Sequence, residues 1–254
     1  MFSSRPLYIG VDPGSGPQPF TYAALDADLR PVALAQGDLQ VVLAFLSGLN
    51  QAVVAISSPQ RPNQGVMRRP EVREQLSPPP RSGRWTDFRL AEYLLRQHHI
   101  TCPRTPAQEE NCSTWVRMGF SLYRKLEAQG FHAYPSQDKL HLLEVYPHAC
   151  FCALLGQAPF AKTTLEGRIQ RQLVLYEHDL HLPDPMLFFE EITRHRLLQG
   201  ILPLDSVYNP QQLDAIAAAY TAWLAGNRPK EICLLGDPEE GQVAIPAAEL
   251  KRRY

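Results

Sequence analysis

The chain has 254 residues, 44% of them apolar, and is expected to form a single α/β domain over residues 1–254. Its 25 basic side chains nearly cancel its 26 acidic ones, so no overall field attracts nucleic acid or an anionic membrane. No stretch approaches the roughly 20 apolar residues of a membrane-spanning helix, and five scattered cysteines argue against a disulfide framework, which predicts a cytoplasmic protein.

The first predicted elements are three strands, a helix and a fourth strand. The apolar run Leu7–Val11 ends in turn residues and predicts a buried strand. Residues 20–26 and 29–35 predict two more strands, and the short segment between them suits an antiparallel hairpin. Asp38 is expected to cap a helix, and residues 52–56 predict a fully buried parallel strand. This order is typical of the start of a ribonuclease H-like fold, although a generic α/β sheet can begin in the same way.

A loop rich in proline and arginine is predicted over about residues 57–85, because six prolines there oppose regular structure. From Arg61 to Arg104 the chain has nine arginines, no lysine and four acids, an excess of five positive charges. This composition fits a solvated loop with salt bridges. It equally fits a flap facing a polyanion, with Trp85 stacked on a base and arginines on phosphates. The arginines of that flap would be Arg68, Arg69, Arg73, Arg81 and Arg84.

The second half of the chain is predicted to be mainly helical around one strand. Helices are expected from Thr86 to about Arg96 and from Ser113 to Gln129, followed by a strand within residues 139–147. A helical insertion is expected over about residues 148–205. After it, Asn209 as N-cap, Pro210 at the first position and Gly226 beyond the end are expected to delimit a last helix.

Three acids are the candidate site residues. Asp12 ends the first strand, so it is either a metal ligand in the cleft at the strand's carboxyl end or the anchor of the next turn. Glu144 lies near the exit of its strand, on the face that Leu140 and Leu142 share. Asp214 shares a helix face with small residues and is expected to point inward, unless it only complements the helix dipole from the first turn.

Six motifs, taken in order, resemble domain-of-unknown-function family 429 over nearly the whole chain. They are Tyr8–Asp12, Val54–Pro59, Leu143–Pro147, Lys162 with Gly167 and Arg168, Leu213–Ala217, and Gly236–Gly241 followed by Ile245 and Pro246. Members of this family are regarded as predicted nucleases with a ribonuclease H-like fold. The resemblance therefore implies a mixed sheet, with antiparallel strands 1–3 and further parallel strands, flanked by helices.

The resemblance also implies a carboxylate cluster that binds Mg²⁺ or Mn²⁺, with Asp12, Glu144 and Asp214 as its acids. Ser57 departs from the family, which commonly has an aspartate after the buried strand. A hydroxyl is a poorer ligand than a carboxylate for a hard divalent cation.

Basic residues of the predicted helical insertion complete the predicted site. Lys162, Arg168 and Arg171 either clamp a phosphate beside the metals or form an exposed basic helix face.

The expected function is therefore metal-dependent hydrolysis of phosphodiester bonds in nucleic acid, DNA or RNA, because carboxylate-bound metals can supply the nucleophile and stabilise the leaving oxygen. The alternative is a catalytically impaired nuclease-like protein that binds nucleic acid or a nucleotide without cleavage. Ser57 is the feature that favours this alternative.

Overall fold

A mixed sheet of eight strands organises the computed structural model, which describes residues 6–80 and 84–254 and, of Arg84, only the backbone. The strands are β1 (Leu7–Pro13), β2 (Phe20–Leu25), β3 (Pro31–Gly37), β4 (Ala52–Ile56), β5 (His132–Ala133), β6 (Leu140–Val145), β7 (Cys233–Asp237) and β8 (Gly241–Ile245). Their order across the sheet is β3-β2-β1-β4-β6-β8-β7, and β5 pairs with the start of β6.

The sheet combines antiparallel and parallel pairing as predicted. Strands β1, β2 and β3 are antiparallel neighbours, whereas β1, β4, β6 and β8 run parallel to one another. Strand β7 closes the far edge antiparallel to β8. The α/β fold class is thereby confirmed, and the arrangement is consistent with a ribonuclease H-like fold.

Helices cover both faces of the sheet. They are α1 (Leu39–Ser47), α2 (Pro70–Glu74), α3 (Leu90–Gln97), α4 (Thr114–Ala128), α5 (Pro147–Leu155), α6 (Leu165–Glu177), α7 (Leu187–Glu191), α8 (Arg194–Leu198) and α9 (Pro210–Asn227). Helix α9 packs against β1, β2 and β4 on one face, and α1 and α4 pack on the other. The strand side chains alternate between the two cores because successive residues point to opposite faces. No helix within the described ranges is long and apolar enough to cross a membrane.

Several predicted element ends differ from the structure. Asp38 caps α1 as predicted, since its side chain accepts a hydrogen bond of 2.9 Å from the Val41 amide. The helix predicted from Thr86 begins only at Leu90, because residues 84–87 form a 3-10 turn. Gly226 lies inside α9 rather than beyond its end. A Cβ added at Gly226 would overlap the Tyr8 ring. The glycine thus serves close helix–strand packing and not a helix end.

The irregular segments also carry more structure than predicted. In the proline-rich loop, Pro70 starts the short helix α2 at a position where its missing N–H has no helical partner to lose. The predicted insertion contains helices α5 to α8 joined by irregular chain. The hairpin β7–β8 was not predicted, because its strands have five residues each and β7 is only half-buried.

Candidate functional site

The close approach of α9 to β1 brings two of the predicted acids together. At Gly10 an added Cβ would overlap the Ala215 carbonyl oxygen and the Ala219 nitrogen, so the helix backbone lies directly on the strand. Asp214 precedes Ala215, and Asp12 follows Gly10 by two residues along β1. Both acids line one cavity of about 710 Å³. The absence of a side chain at Gly10 is therefore what allows this pair to form.

The carboxylates of Asp12 and Asp214 share a poorly solvated site. Burial raises the pKa of Asp12 well above its usual value, and the charge of Asp214 raises it further. Burial also raises the pKa of Asp214, whose side chain is 7% exposed, although Lys162 opposes that rise. Asp214 is the fifth residue of α9, beyond the first turn, so complementing the helix dipole does not account for its position.

Lys162 is the cation that the structure provides for this pair. Its Nζ donates a hydrogen bond of 2.9 Å to Asp214 Oδ2, while 55% of the side chain stays exposed. Burial lowers the pKa of Lys162, but the charge and hydrogen bond of Asp214 outweigh that effect and raise it. The lysine is thus held by charge at its Nζ, while just over half of its side chain is exposed to solvent.

Ser57 lies directly after β4, beside Asp12. Its amide donates a 2.9 Å hydrogen bond to the Val11 carbonyl, which fixes it next to the end of β1. The Ser57 hydroxyl lies near enough to Asp12 to oppose the rise in that residue's pKa. Its Oγ is nevertheless buried without a hydrogen-bond partner of normal geometry among the described residues. Ser57, at the position where the resemblance implied an acid, is therefore part of the site as a neutral hydroxyl.

Glu144 is placed in a different environment from the other two acids. Arg89 Nη1 and Nη2 donate hydrogen bonds of 2.7 Å each to its two carboxylate oxygens, and the Gln60 amide donates a third of 2.8 Å. Arg89 is fully buried and also donates to the carbonyls of Glu240 and Gly241. Glu144 lines a second cavity of about 390 Å³ rather than the first. Its observed role is to hold Arg89, the partner that the sequence did not indicate.

The three predicted phosphate ligands have different roles. Arg171 lines the first cavity, with its guanidinium over the Phe151 ring and donating to the carbonyls of Phe160 and Gly167. Burial lowers the pKa of Arg171, which is a fixed charge in the cavity wall. Arg168 instead donates to the carbonyls of Val207 and Tyr208 and lines neither cavity. Lys162 and the buried Arg171 therefore both line the first cavity, whereas Arg168 secures the chain before α9.

Most described arginines of the proline-rich loop have partners within the protein. Arg69 pairs with Glu239, and the Arg73 guanidinium lies 5.4 Å from the centre of the Trp85 ring. Arg61 lies 3.8 Å from Glu127. No arginine of residues 61–80 lines either cavity. These contacts favour the solvated-loop alternative over a polyanion-facing flap; Arg81 and the side chain of Arg84 lie outside the described residues.

The fit of a divalent cation is good for Asp12 and Asp214 and poor for Glu144. Two adjacent carboxylates whose pKa values are raised by burial gain most from a nearby positive charge. Glu144 already has all its charge balanced by Arg89. Within residues 6–80 and 84–254, no group of three or more His, Cys, Asp or Glu side chains is arranged to hold a metal ion. Asp12 and Asp214, rather than a set of three acids, are therefore the side chains that would hold a divalent cation.

The family described as "Protein of unknown function (DUF429)" has a sequence model that matches residues 25–240. This match spans most of the chain, so the chain belongs to that family, as its motifs predicted. No curated protein and no solved structure matches the chain.

Proposed function

We propose that this protein is a metal-dependent hydrolase that cleaves phosphodiester bonds in nucleic acid, with a single Mg²⁺ or Mn²⁺ on Asp12 and Asp214. The observation that carries the proposal is the pairing of these two poorly solvated carboxylates in one cavity with Lys162 and Arg171. The cavity wall has two acidic and two basic side chains. It therefore suits a ligand that combines a cation, for the acidic side chains, with an anion, for the basic ones. A phosphodiester with a bound metal has that composition.

Each side chain has a distinct part in the proposal. Asp12 and Asp214 would hold the cation, which when bound supplies charge stabilisation at phosphorus and a more acidic water. Lys162 would leave Asp214 and turn to a non-bridging phosphate oxygen, a movement that its exposed stem permits. Arg171, fixed over Phe151, would keep its charge in place throughout, which is the arrangement that stabilises charge developing in a reaction.

A second candidate is binding of nucleic acid or a nucleotide without cleavage. Two features favour it: Glu144 is fully engaged by Arg89, and Ser57 stands at the position where the family resemblance implied an acid. Both reduce the number of carboxylates for a two-metal site. One experiment distinguishes cleavage from binding alone.

The experiment is a Mn²⁺ titration by calorimetry, followed by cleavage assays on labelled single-stranded and duplex DNA and RNA with Mg²⁺ or Mn²⁺. We expect one Mn²⁺ per chain, and loss of both Mn²⁺ binding and cleavage in Asp12→Asn. Asp28→Asn, an exposed acid in the β2–β3 turn, is the matched control and should behave like the wild type. Nucleic-acid binding without metal binding or cleavage would favour the second candidate instead.

A cytoplasmic location belongs to the same proposal. The five cysteines are all free, and four of them are buried. Unpaired thiols are typical of a reducing compartment, which supports this location.

A further inference from the structure

We propose that the second cavity is a nucleobase pocket, which takes up one unpaired base of the strand whose phosphate lies in the first cavity. This inference rests on the proposed function for its substrate and adds to it a site and a substrate class. The substrate would be single-stranded nucleic acid or a nucleotide turned out of its stack.

The two cavities adjoin, because four residues line both. They are Ser57, Pro103, Trp115 and Tyr146. The Tyr146 hydroxyl donates a hydrogen bond of 3.1 Å to the Thr101 carbonyl, which fixes that ring at the boundary. Trp115 is half-buried there, so part of its indole can meet a ligand. A molecule bound beside Asp12 and Asp214 therefore has direct access to the second cavity.

The second cavity differs from the first in having its buried charges balanced internally. Glu144 is bonded through both oxygens to Arg89. Glu92 accepts hydrogen bonds from the Thr105 amide and hydroxyl with one oxygen and from the Arg89 amide with the other. A phosphate would find no uncompensated positive charge among these three side chains, and Arg104, the other arginine of the lining, is paired with Asp87 at 3.0 Å. An uncharged ligand is the better match.

The remaining walls fit a flat heteroaromatic ring. Apolar contact is available from Leu95, Cys102, Val116 and Val243, and the Trp115 ring can stack on a base. Asn111 and Ser113 are exposed polar residues of the lining and can bond the edge of a base. The volume of about 390 Å³ lies within the range of small-molecule sites. Together these features favour a nucleobase over a phosphate.

A base can occupy this cavity only if it is not paired with a complementary strand. Enzymes that act on extruded bases, and proteins that bind single strands, use the same combination of an aromatic surface and hydrogen bonds to the base edge. The phosphate would remain in the first cavity, next to Lys162 and Arg171. The division of labour is thus charge recognition in one cavity and base recognition in the other.

The first test uses free nucleosides, which carry no phosphate. Adenosine, cytidine, guanosine and thymidine are titrated by calorimetry against the wild type, Asp12→Asn, Asn111→Trp and Ala107→Trp. Asn111→Trp places an indole at the second cavity, whereas Ala107→Trp adds the same group at a nearby exposed position that lines neither cavity. We expect at least one nucleoside to bind the wild type, Asp12→Asn and Ala107→Trp equally, and Asn111→Trp at least tenfold more weakly.

The second test uses oligothymidines with one abasic site at successive positions, with binding measured in EDTA. Loss of the base in the pocket should weaken wild-type binding roughly tenfold at one position, the scale of one base stacked on an aromatic side chain. In Asn111→Trp this position effect should vanish, and in Ala107→Trp it should remain. Ser113→Trp serves in place of Asn111→Trp if thermal unfolding shows that the latter is not folded.

The results separate this inference from the proposed function. Metal-dependent cleavage with no nucleoside binding and no position effect would overturn the base pocket and leave the nuclease proposal standing. Nucleoside binding that Asn111→Trp weakens, without any cleavage, would support the pocket and contradict the nuclease. Nucleoside binding that Asn111→Trp leaves unchanged would overturn the pocket.

Discussion

Among the candidate-site residues that the structure describes, Lys162 pairs with a buried acid while more than half of its side chain remains in solvent. Any divalent cation on Asp214 must compete with its ammonium group. Once the cation has displaced it from Asp214, the same ammonium group would bind the phosphate. A single side chain therefore has opposite effects on metal binding and on cleavage.

Replacing this lysine should separate the two effects. In Lys162→Met we expect Mn²⁺ affinity to rise roughly tenfold, because a competing charge is lost, and the cleavage rate to fall about a hundredfold, because a charge on the phosphate is lost. Calorimetry and initial rates measure the two quantities. Lys230→Met, an exposed lysine in another part of the chain, should change neither. Loss of Mn²⁺ affinity in Lys162→Met would contradict competition.

Glu144 offers a test between a structural role and a metal ligand. Glu144→Gln removes the charge opposite the buried Arg89 and should lower the free energy of unfolding by about 3–5 kcal/mol. Mn²⁺ affinity of the folded variant should stay unchanged. Urea unfolding and calorimetry give the two values. If Mn²⁺ binding is lost while the variant is folded, Glu144 is a ligand and its pairing with Arg89 must open.

At the scale of elements, the site depends on how closely α9 lies on β1. In Gly10→Ala the new Cβ would overlap backbone atoms of the helix, so the helix must move. We expect unfolding to become easier by about 1–3 kcal/mol, with weaker Mn²⁺ binding because Asp214 moves with the helix. Thermal unfolding and calorimetry measure both effects.

A second substitution checks the cause. Ala218→Gly removes the nearest side-chain contact at Gly10 but leaves the overlapping backbone of Ala215 and Ala219 in place, so it should not restore Gly10→Ala. Full rescue would mean that a side chain, rather than the helix backbone, sets the limit.

The elements also show what local sequence could and could not predict. The buried runs of β1 and β4 and the capped start of α9 have strong local signals, so their positions and the location of Asp12 and Asp214 followed from them. The role of Gly226 was mistaken because a glycine near a helix end can serve either capping or packing. Only the tertiary structure reveals the Tyr8 ring against it.

The partner of Glu144 could not be predicted for a related reason. Arg89 lies 55 residues before Glu144 in the chain. Eight other arginines lie within residues 61–104, and the sequence gives no reason to prefer Arg89 over them as the partner. Its pairing depends on where α3 packs against the hairpin β7–β8. A strand period can show which side chains share a face, but it does not show what lies opposite that face.

For the whole molecule, buried acids make stability depend on pH. Burial raises the pKa of Glu92 from 4.5 to about 7, and it also raises the pKa values of Asp12 and Asp214. The native state therefore binds these protons more tightly than the unfolded chain does. The contribution of such groups to stability is present at low pH and is lost as pH rises through this range.

Glu92 should account for a measurable part of this dependence. Between pH 4.5 and 7 we expect it to lower the free energy of unfolding by roughly 2 kcal/mol, and Glu92→Gln to flatten the curve by a similar amount. Urea unfolding at a series of pH values, without metal, measures the slope. The exposed Glu110→Gln is the control and should keep the wild-type slope. Equal slopes in Glu92→Gln and the wild type would contradict this account.

Arg89 donates hydrogen bonds to the carbonyls of Glu240 and Gly241, which lie 151 and 152 residues further along the chain. This separation in sequence has a consequence for biosynthesis. A ribosome releases Arg89 long before its carbonyl acceptors exist. Until these carbonyls emerge, the guanidinium of Arg89 must stay hydrogen-bonded to water in their place. Strand β6 likewise has no β8 to pair with. The early strands can collapse first, as domains do during translation. The Arg89 guanidinium, however, can lose its bound water only after the hairpin β7–β8 has been synthesised.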